Sequence, residues 1–331
     1  MIGYYPANMK LWQGRVDDEN DYHSFRWHQI IKQLDFNLPI HKAADDHLSF
    51  VLIGYMIDEG ITNNIGRAGA KQGPIKVREF LCNKACSFSE KIQIYDGGNI
   101  IYVSSVEQAQ KTLDLLVTLC LENNYFPIVI GGGHDLSYGT MSSLINHFDI
   151  AQENFGIINF DAHFDLRPYN HSTSGTMFRQ IYDDIKQKNA PFNYLTIGVQ
   201  KSSNTLSLFD FVKKINSEYI LAGDFTHENY AINIYRLKQF MNRQKNIYVC
   251  ICCDVFASAY APGVSNPQPL GVEPELAIDF LKTILASEKV VAFDIAEISP
   301  QLDTSNNTAS LGALIVYSVI NYLGEIKYPH K

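Results

Sequence analysis

Short runs rich in β-branched and aromatic residues alternate with amphipathic patterns along most of this chain, and that alternation leaves few folds open. The runs lie at residues 50–55, 92–95, 127–130, 156–160, 194–199, 219–221, 247–253 and 290–295. Between most of them apolar residues recur at helical spacing, as at 106–121 and 273–285. A strand, a helix and a second strand pair in parallel through a right-handed crossover, because only that hand packs the helix back onto a twisted sheet. The expected class is therefore α/β: three layers, α/β/α, around a mostly parallel eight-stranded sheet. The 331 residues, 46% of them hydrophobic, suffice for a sizeable core. No repeat, low-complexity segment or linker rich in Pro, Gly or Ser interrupts the pattern. Residues 46–331 read as a single catalytic domain, with polar, aromatic-dotted residues 1–45 as an N-terminal arm packed on it. The apolar pattern at 311–323 reads as a closing helix.

A net charge of −8 argues against nucleic acid or an anionic membrane as partner and leaves a small molecule as the expected one. No apolar stretch reads as long enough for a membrane span. The opening residues, Met1-Ile2-Gly3-Tyr4, lack the basic and apolar regions of a secretory signal. The cysteines are Cys82, Cys86, Cys120, Cys250, Cys252 and Cys253. Three crowd one run and Cys120 sits in a helical pattern, which is no disulfide framework. A reducing cytoplasm is the expected location. Cys82 and Cys86 have helical spacing without His or Cys companions and read as structural.

Two clusters carry the chemistry. Gly131-Gly132-Gly133-His134-Asp135 and Asp161-Ala162-His163-Phe164-Asp165 each follow an apolar run that ends in a turn. Such turns fall at strand ends, where open α/β sheets build their sites. His and carboxylate donors suit a hard or borderline divalent metal. In extended backbone Asp161, His163 and Asp165 would point to one side; the bland alternative has the acids capping the next helix. A Gly-Gly-Gly-His alone is more often a tight turn, although glycine there permits close backbone approach. At 247–254, period two places Cys250, Cys252 and Asp254 on one face. Ala261-Pro262-Gly263-Val264-Ser265 then supplies a turn-rich wall. Glu297, after the run at 290–295, faces the same cavity or is a solvated loop acid.

In this order the four segments resemble the ureohydrolase family of arginases, agmatinases and their relatives. The family pattern is Gly-Gly-x-His, Asp-Ala-His-x-Asp, Ser-x-Asp-x-Asp with a downstream Ala-Pro-Gly, and a Glu before a Pro. Further stretches are most similar to its formimidoylglutamase branch. They are Asp58-Glu59-Gly60 with Asn64-x-Gly66-Arg67-x-Gly69-Ala70 and Gly73-Pro74, Ser174-Gly175-Thr176-x-Phe178-Arg179-Gln180-Ile181, and Gly198-Val199-Gln200-Lys201-Ser202-Ser203-Asn204-Thr205. Phe178 stands where arginases carry a proton-transferring His, which moves arginase chemistry out of first place. The resemblance implies an arginase-like fold, a homo-oligomer, and two ions, usually manganese. The ligands it implies are His134, Asp161, His163, Asp165 and Asp254. The sixth position, normally a bridging Asp, is Cys252, and Cys250 takes the Ser position. A thiolate there would turn preference toward zinc or iron. Cys252 also reads as an ordinary buried strand cysteine.

The activity implied is hydrolysis of N-formimidoyl-L-glutamate to L-glutamate and formamide, a step of histidine degradation, by water or hydroxide activated on the metals. Glu297 would pair with the amidinium and Asp165 would pass a proton to the departing nitrogen. Arg167, Arg179 and Arg67 are candidates for the substrate carboxylates, since a planar guanidinium binds both oxygens. Ser174 and Thr176 would add hydroxyl contacts, or cap the following helix. Two other readings stay open: an agmatinase or guanidino-acid hydrolase, and a metal-impaired, non-catalytic paralogue in which Cys252 has cost the site a bridging acid.

Overall fold

The computed structural model describes residues 1–329. Among them ten strands form one sheet: β1 (Tyr4–Tyr5), β2 (Lys32–Gln33), β3 (Leu48–Met56), β4 (Ile92–Ile101), β5 (Phe126–Gly131), β6 (Phe155–Phe160), β7 (Asn193–Val199), β8 (Glu218–Leu221), β9 (Asn246–Cys252) and β10 (Val290–Ala296). Their order is β1-β4-β3-β5-β10-β9-β6-β7-β8, with β2 also on β4. Only β1 runs antiparallel to its neighbour among these pairings. All eight expected runs are strands. The two additional ones come from the first 45 residues, and at two residues each they are too short to show a period.

Side-chain alternation sorts the core into two layers. Leu52, Ile128, Ile158, Val249 and Phe293 face one way and pack with the helices Gly73–Leu81, Pro274–Leu285 and Asn307–Lys327. On the other side, Val51 and Val129 pack against Val106–Glu122, and Ile157, Tyr194 and Tyr248 against Leu136–His147 and Met177–Gln187. Helices on both faces explain why β5 and β6 read as continuous apolar runs rather than alternating ones. Ser105 starts the 106–122 helix by accepting from the Gln108 N–H at 3.1 Å.

The closing helix, Asn307–Lys327, corrects one expectation. It does reach the length and apolarity of a membrane span, with mean hydropathy 1.4. Scattered Ser, Asn and Tyr residues break its run to the eye. Half of that window is buried inside the structure, where Ile315, Val316, Val319 and Ile320 join the core.

The N-terminal segment is tied to the sheet by a buried polar knot. The Trp12 indole donates to Asp96 Oδ2 at 2.7 Å, and Arg78 holds the other oxygen at 2.8 Å. Trp12 and Trp27 both belong to the core on the face of Leu52.

The sheet order matters most for the site. The chain leaves β5 through the helix Leu136–His147 and returns as β6, yet β10 and β9 lie between the two. The carboxyl ends of four adjacent strands, β5-β10-β9-β6, therefore share one edge, and all four chemical segments sit there.

Candidate metal centre

The triple glycine carries His134 to that edge. A Cβ on Gly132 would lie 2.2 Å from the Ile57 carbonyl oxygen and 2.4 Å from that of Tyr55, so no side chain fits. The Gly132 and Gly133 amides instead donate to those carbonyls, of Tyr55 (3.0 Å) and Ile57 (2.8 Å). His134, now buried, has its Nδ1 3.0 Å from Asp161 Oδ2 and 3.1 Å from Asp165 Oδ2. Its ring stands edge-on against Phe178.

The loop after β6 does not work as the extended pleat expected from the alternation. The strand ends at Phe160, and Asp165 adopts φ 50, a left-handed conformation. Such backbone is rare outside glycine and clusters at functional sites. A turn, not a pleat, brings the three side chains together. The loop is pinned by Phe164, whose amide donates to Asn204 Oδ1 (3.0 Å) and whose ring packs between Phe209 and Tyr219. His163 Nδ1 lies 3.4 Å from Asp161 Oδ1 and 3.1 Å from Asp254 Oδ2. Its Nε2 is 3.1 Å from the Asn266 amide, which fixes the ring with Nδ1 toward the acids.

Cys252 closes β9, and the 3-10 turn Cys253–Val255 swings Asp254 inward. Strand parity therefore accounts for Cys250 and Cys252, but the turn accounts for Asp254. Cys250 is turned to Asn159, donating to its Oδ1 at 3.2 Å. Glu297 follows β10 at φ 62, its amide donating to Gly132 O at 2.8 Å. Glu297 is buried, not a solvated loop acid. Glu297 Oε2 and Asp254 Oδ1 are buried without a hydrogen-bond partner among the described residues.

Four buried carboxyl groups around two imidazoles make a hollow short of positive charge. Burial pushes Asp165 up to about 7, with the Asp161 charge beside it adding to the effect. Burial and then the Asp254 charge hold Glu297 well above the usual carboxylate range. Burial also lifts the Cys252 thiol, and Asp161 and Asp254 raise it further. Burial disfavours the charged form of His134, but hydrogen bonds from its ring to Asp161 and Asp165 outweigh this and hold it well above its ordinary value. The donor atoms fall into two sets, His134–Asp161–Cys252 and Asp161–His163–Asp254, each within 4.8 Å and sharing Asp161. Partnerless buried oxygens, two inward Nδ1 atoms and a shared carboxylate fit a pair of divalent cations.

Above the donors opens a cavity of about 240 Å³, lined by His134, His163, Asp165, Cys252 and Asp254, with Glu297, Arg67, Arg167 and Ser174 around them. Arg167 is exposed and forms no ion pair among the described residues. Arg67 donates from Nε to Ser265 O (2.9 Å) and from NH2 to Val264 O (2.8 Å), closing the wall on the Ala-Pro-Gly side. Two of the candidate contacts are engaged elsewhere. The Arg179 guanidinium lies 3.9 Å over the Phe211 ring and beside Asp183, on the first turn of the helix Met177–Gln187 and outside the cavity lining. Thr176 is buried, its hydroxyl engaged with Thr173 N–H (2.9 Å) and O (3.1 Å). Asn64, Ile65 and Asn266 also line the cavity and escaped the sequence reading of the site. The only signal for them was their place beside Gly66-Arg67 and Ser265.

An open parallel α/β sheet with a nitrogen–oxygen donor cluster at its carboxyl edge and a narrow polar cavity above defines the class: a small-molecule hydrolase of the α/β/α type. Residues 48–321 match the arginase family, and the chain belongs to that family. A formimidoylglutamase from Clostridium tetani (strain Massachusetts / E88) is 44% identical over 330 residues, 98% of both chains. The Trypanosoma cruzi formiminoglutamase crystallised with Mn2+ superposes with a TM-score of 0.73 at 25% identity, covering 85% of this chain and 94% of that one. The formimidoylglutamase from Bacillus subtilis subsp. subtilis str. 168 shares the fold with a TM-score of 0.77 at 20% identity, covering 91% and 92%.

Proposed function

We propose that this protein hydrolyses N-formimidoyl-L-glutamate to L-glutamate and formamide. The observation that carries the reading is Glu297 Oε2, a buried carboxylate oxygen without a hydrogen-bond partner among the described residues, in a cavity floored by the donor cluster and rimmed by Arg67 and Arg167. The full-length likeness to a formimidoylglutamase supports the same substrate.

His134, Asp161 and Asp165 would hold one divalent ion and His163, Asp161 and Asp254 the other, with manganese, the ion of the solved relative, as the first metal to supply. Bound there, the ions supply Lewis acidity that makes a water molecule nucleophilic near neutral pH. Glu297 pairs with the amidinium and turns the formimidoyl carbon toward the donor cluster; its left-handed backbone keeps the carboxylate at the rim of the cluster. Asp165 carries the proton that the departing glutamate nitrogen needs. Arg167, free of ion pairs among the described residues, takes one substrate carboxylate, and Arg67 and Ser174 line the approach of the other. Phe178 packs edge-on behind His134 with an apolar ring that carries no proton. Six buried free cysteines support a reducing, cytoplasmic setting.

The test is glutamate release by manganese-loaded protein from N-formimidoyl-L-glutamate, with L-arginine and agmatine in parallel. Turnover of the first alone is expected; equal turnover of agmatine would refute the substrate assignment.

A further inference from the structure

The two halves of the donor cluster differ in chemistry. His134, Asp161 and Cys252 bring a nitrogen, an oxygen and a sulfur within 4.8 Å of one another, whereas Asp161, His163 and Asp254 bring a nitrogen and two oxygens. Cys252 belongs to the first set only. It is 2% exposed, ends a strand, and is paired with Ala296 of β10, so its direction is set by the sheet. It also lines the cavity with His134, Asp254 and Glu297, which is not the apolar setting of a packing cysteine. Its neighbours do not share this position. Cys250 donates to Asn159 and also touches His134, but it belongs to neither donor set and does not line the cavity, and Cys253 packs in the core on the opposite face.

Thiolate ligands favour zinc, iron and cobalt, while imidazole and carboxylate sets accept manganese. We propose that the centre is a mixed one, with a thiolate-ligated borderline ion in the His134–Asp161–Cys252 half and a manganese-type ion in the His163–Asp161–Asp254 half. The inference rests on the proposed reading of the cluster as a metal centre. Asp165, with Oδ2 3.1 Å from His134 Nδ1, adds a carboxylate to the sulfur-containing half. On ligation the Cys252 S–H bond breaks, the proton leaves to solvent and a sulfur lone pair forms the bond to the ion. No oxidant or reductant is required.

Cobalt(II) is the probe. Thiolate-bound cobalt gives an intense near-ultraviolet charge-transfer band that imidazole and carboxylate ligands do not. Titrating metal-free protein with cobalt should raise this band in the wild type and in Cys250→Ser, and Cys252→Ser should lose it. Cys252→Asp, which restores an oxygen donor, keeps the test alive where the serine variant does not fold. It should bind cobalt without the band, and its manganese-to-zinc affinity ratio should exceed that of the wild type. Cobalt bound to the wild type without the band, or a band that survives loss of Cys252, would overturn the mixed centre and leave the metal-centre reading standing. Failure to bind either cobalt or manganese would remove both.

Discussion

Nδ1 of His134 stands 3.0 Å from Oδ2 of Asp161, although the two residues leave strands, β5 and β6, that are not neighbours. Of the strands between them, β10 leads into Glu297, and β9 ends in Cys252 and leads into Asp254. A crevice opened by the early crossover is thus floored by residues encoded far later in the chain. Asp161 is its centre, with one oxygen toward each imidazole.

Asp161→Asn should therefore abolish the shared ligand rather than weaken one ion. Loss of an outer-sphere partner typically costs about 10–100-fold in metal affinity, and removal of this carboxylate should exceed that. Metal content after dialysis checks it; retention of both ions would show that Asp161 is not shared.

Glu297→Gln should leave metal content unchanged and lower kcat/KM for the amidine by roughly 10–100-fold, the worth of a hydrogen bond to a charged group at about 1.5–3 kcal/mol. Metal analysis beside steady-state kinetics separates this outcome from a collapse of the site.

Removing Arg78 should unfasten the N-terminal segment. Arg78→Met leaves Asp96 buried with the Trp12 indole and the Gly98 N–H as its remaining donors among the described residues. Breaking a buried ion pair from one side costs roughly 3–5 kcal/mol. Urea unfolding gives the loss, and Trp fluorescence should report a wetter Trp12 before global unfolding.

Acid should weaken the closing helix through Asp303. Burial disfavours its charged form, but hydrogen bonds from Thr308 N–H (2.8 Å) and Ser305 outweigh it and hold the carboxyl below its ordinary 3.8. A depressed folded-state pKa gives stability that is complete above the unfolded value and lost as pH falls through the folded one. Asp303→Asn should cost ~1 kcal/mol at neutral pH, and the gap to wild type should close below that range. A gap constant with pH would contradict the assignment.

The cavity mouth stores strain. Ile65 is 97% exposed at φ 63, a conformation that a β-branched residue resists. Left-handed backbone costs about 1–2 kcal/mol, of which the unfolded-state freedom of glycine returns roughly 0.5–1. Ile65→Gly should raise Tm slightly, and KM should rise with it because the side chain walls the cavity. Differential scanning calorimetry and kinetics on one preparation read both.

Much of this was legible before any coordinates. The eight strand runs follow from β-branched content and spacing, and His134, Asp161, His163, Asp254 and Glu297 stand out as polar residues just past buried runs. What stayed hidden has physical causes. Two-residue strands show no periodicity. The left-handed turns at Asp165 and Glu297 involve no glycine to announce them. Arg179 is a candidate carboxylate binder by type, and only the fold shows its guanidinium over Phe211. Asn266 meets His163 only because a distant loop folds over the strand ends, and nothing local encodes that meeting.

The central claim is that one cation-dependent hollow performs the hydrolysis. Protein stripped by chelation should release no glutamate from N-formimidoyl-L-glutamate, and activity should return in step with bound metal as divalent ions are restored. Full activity in the stripped protein, or restored metal without glutamate release, would contradict it.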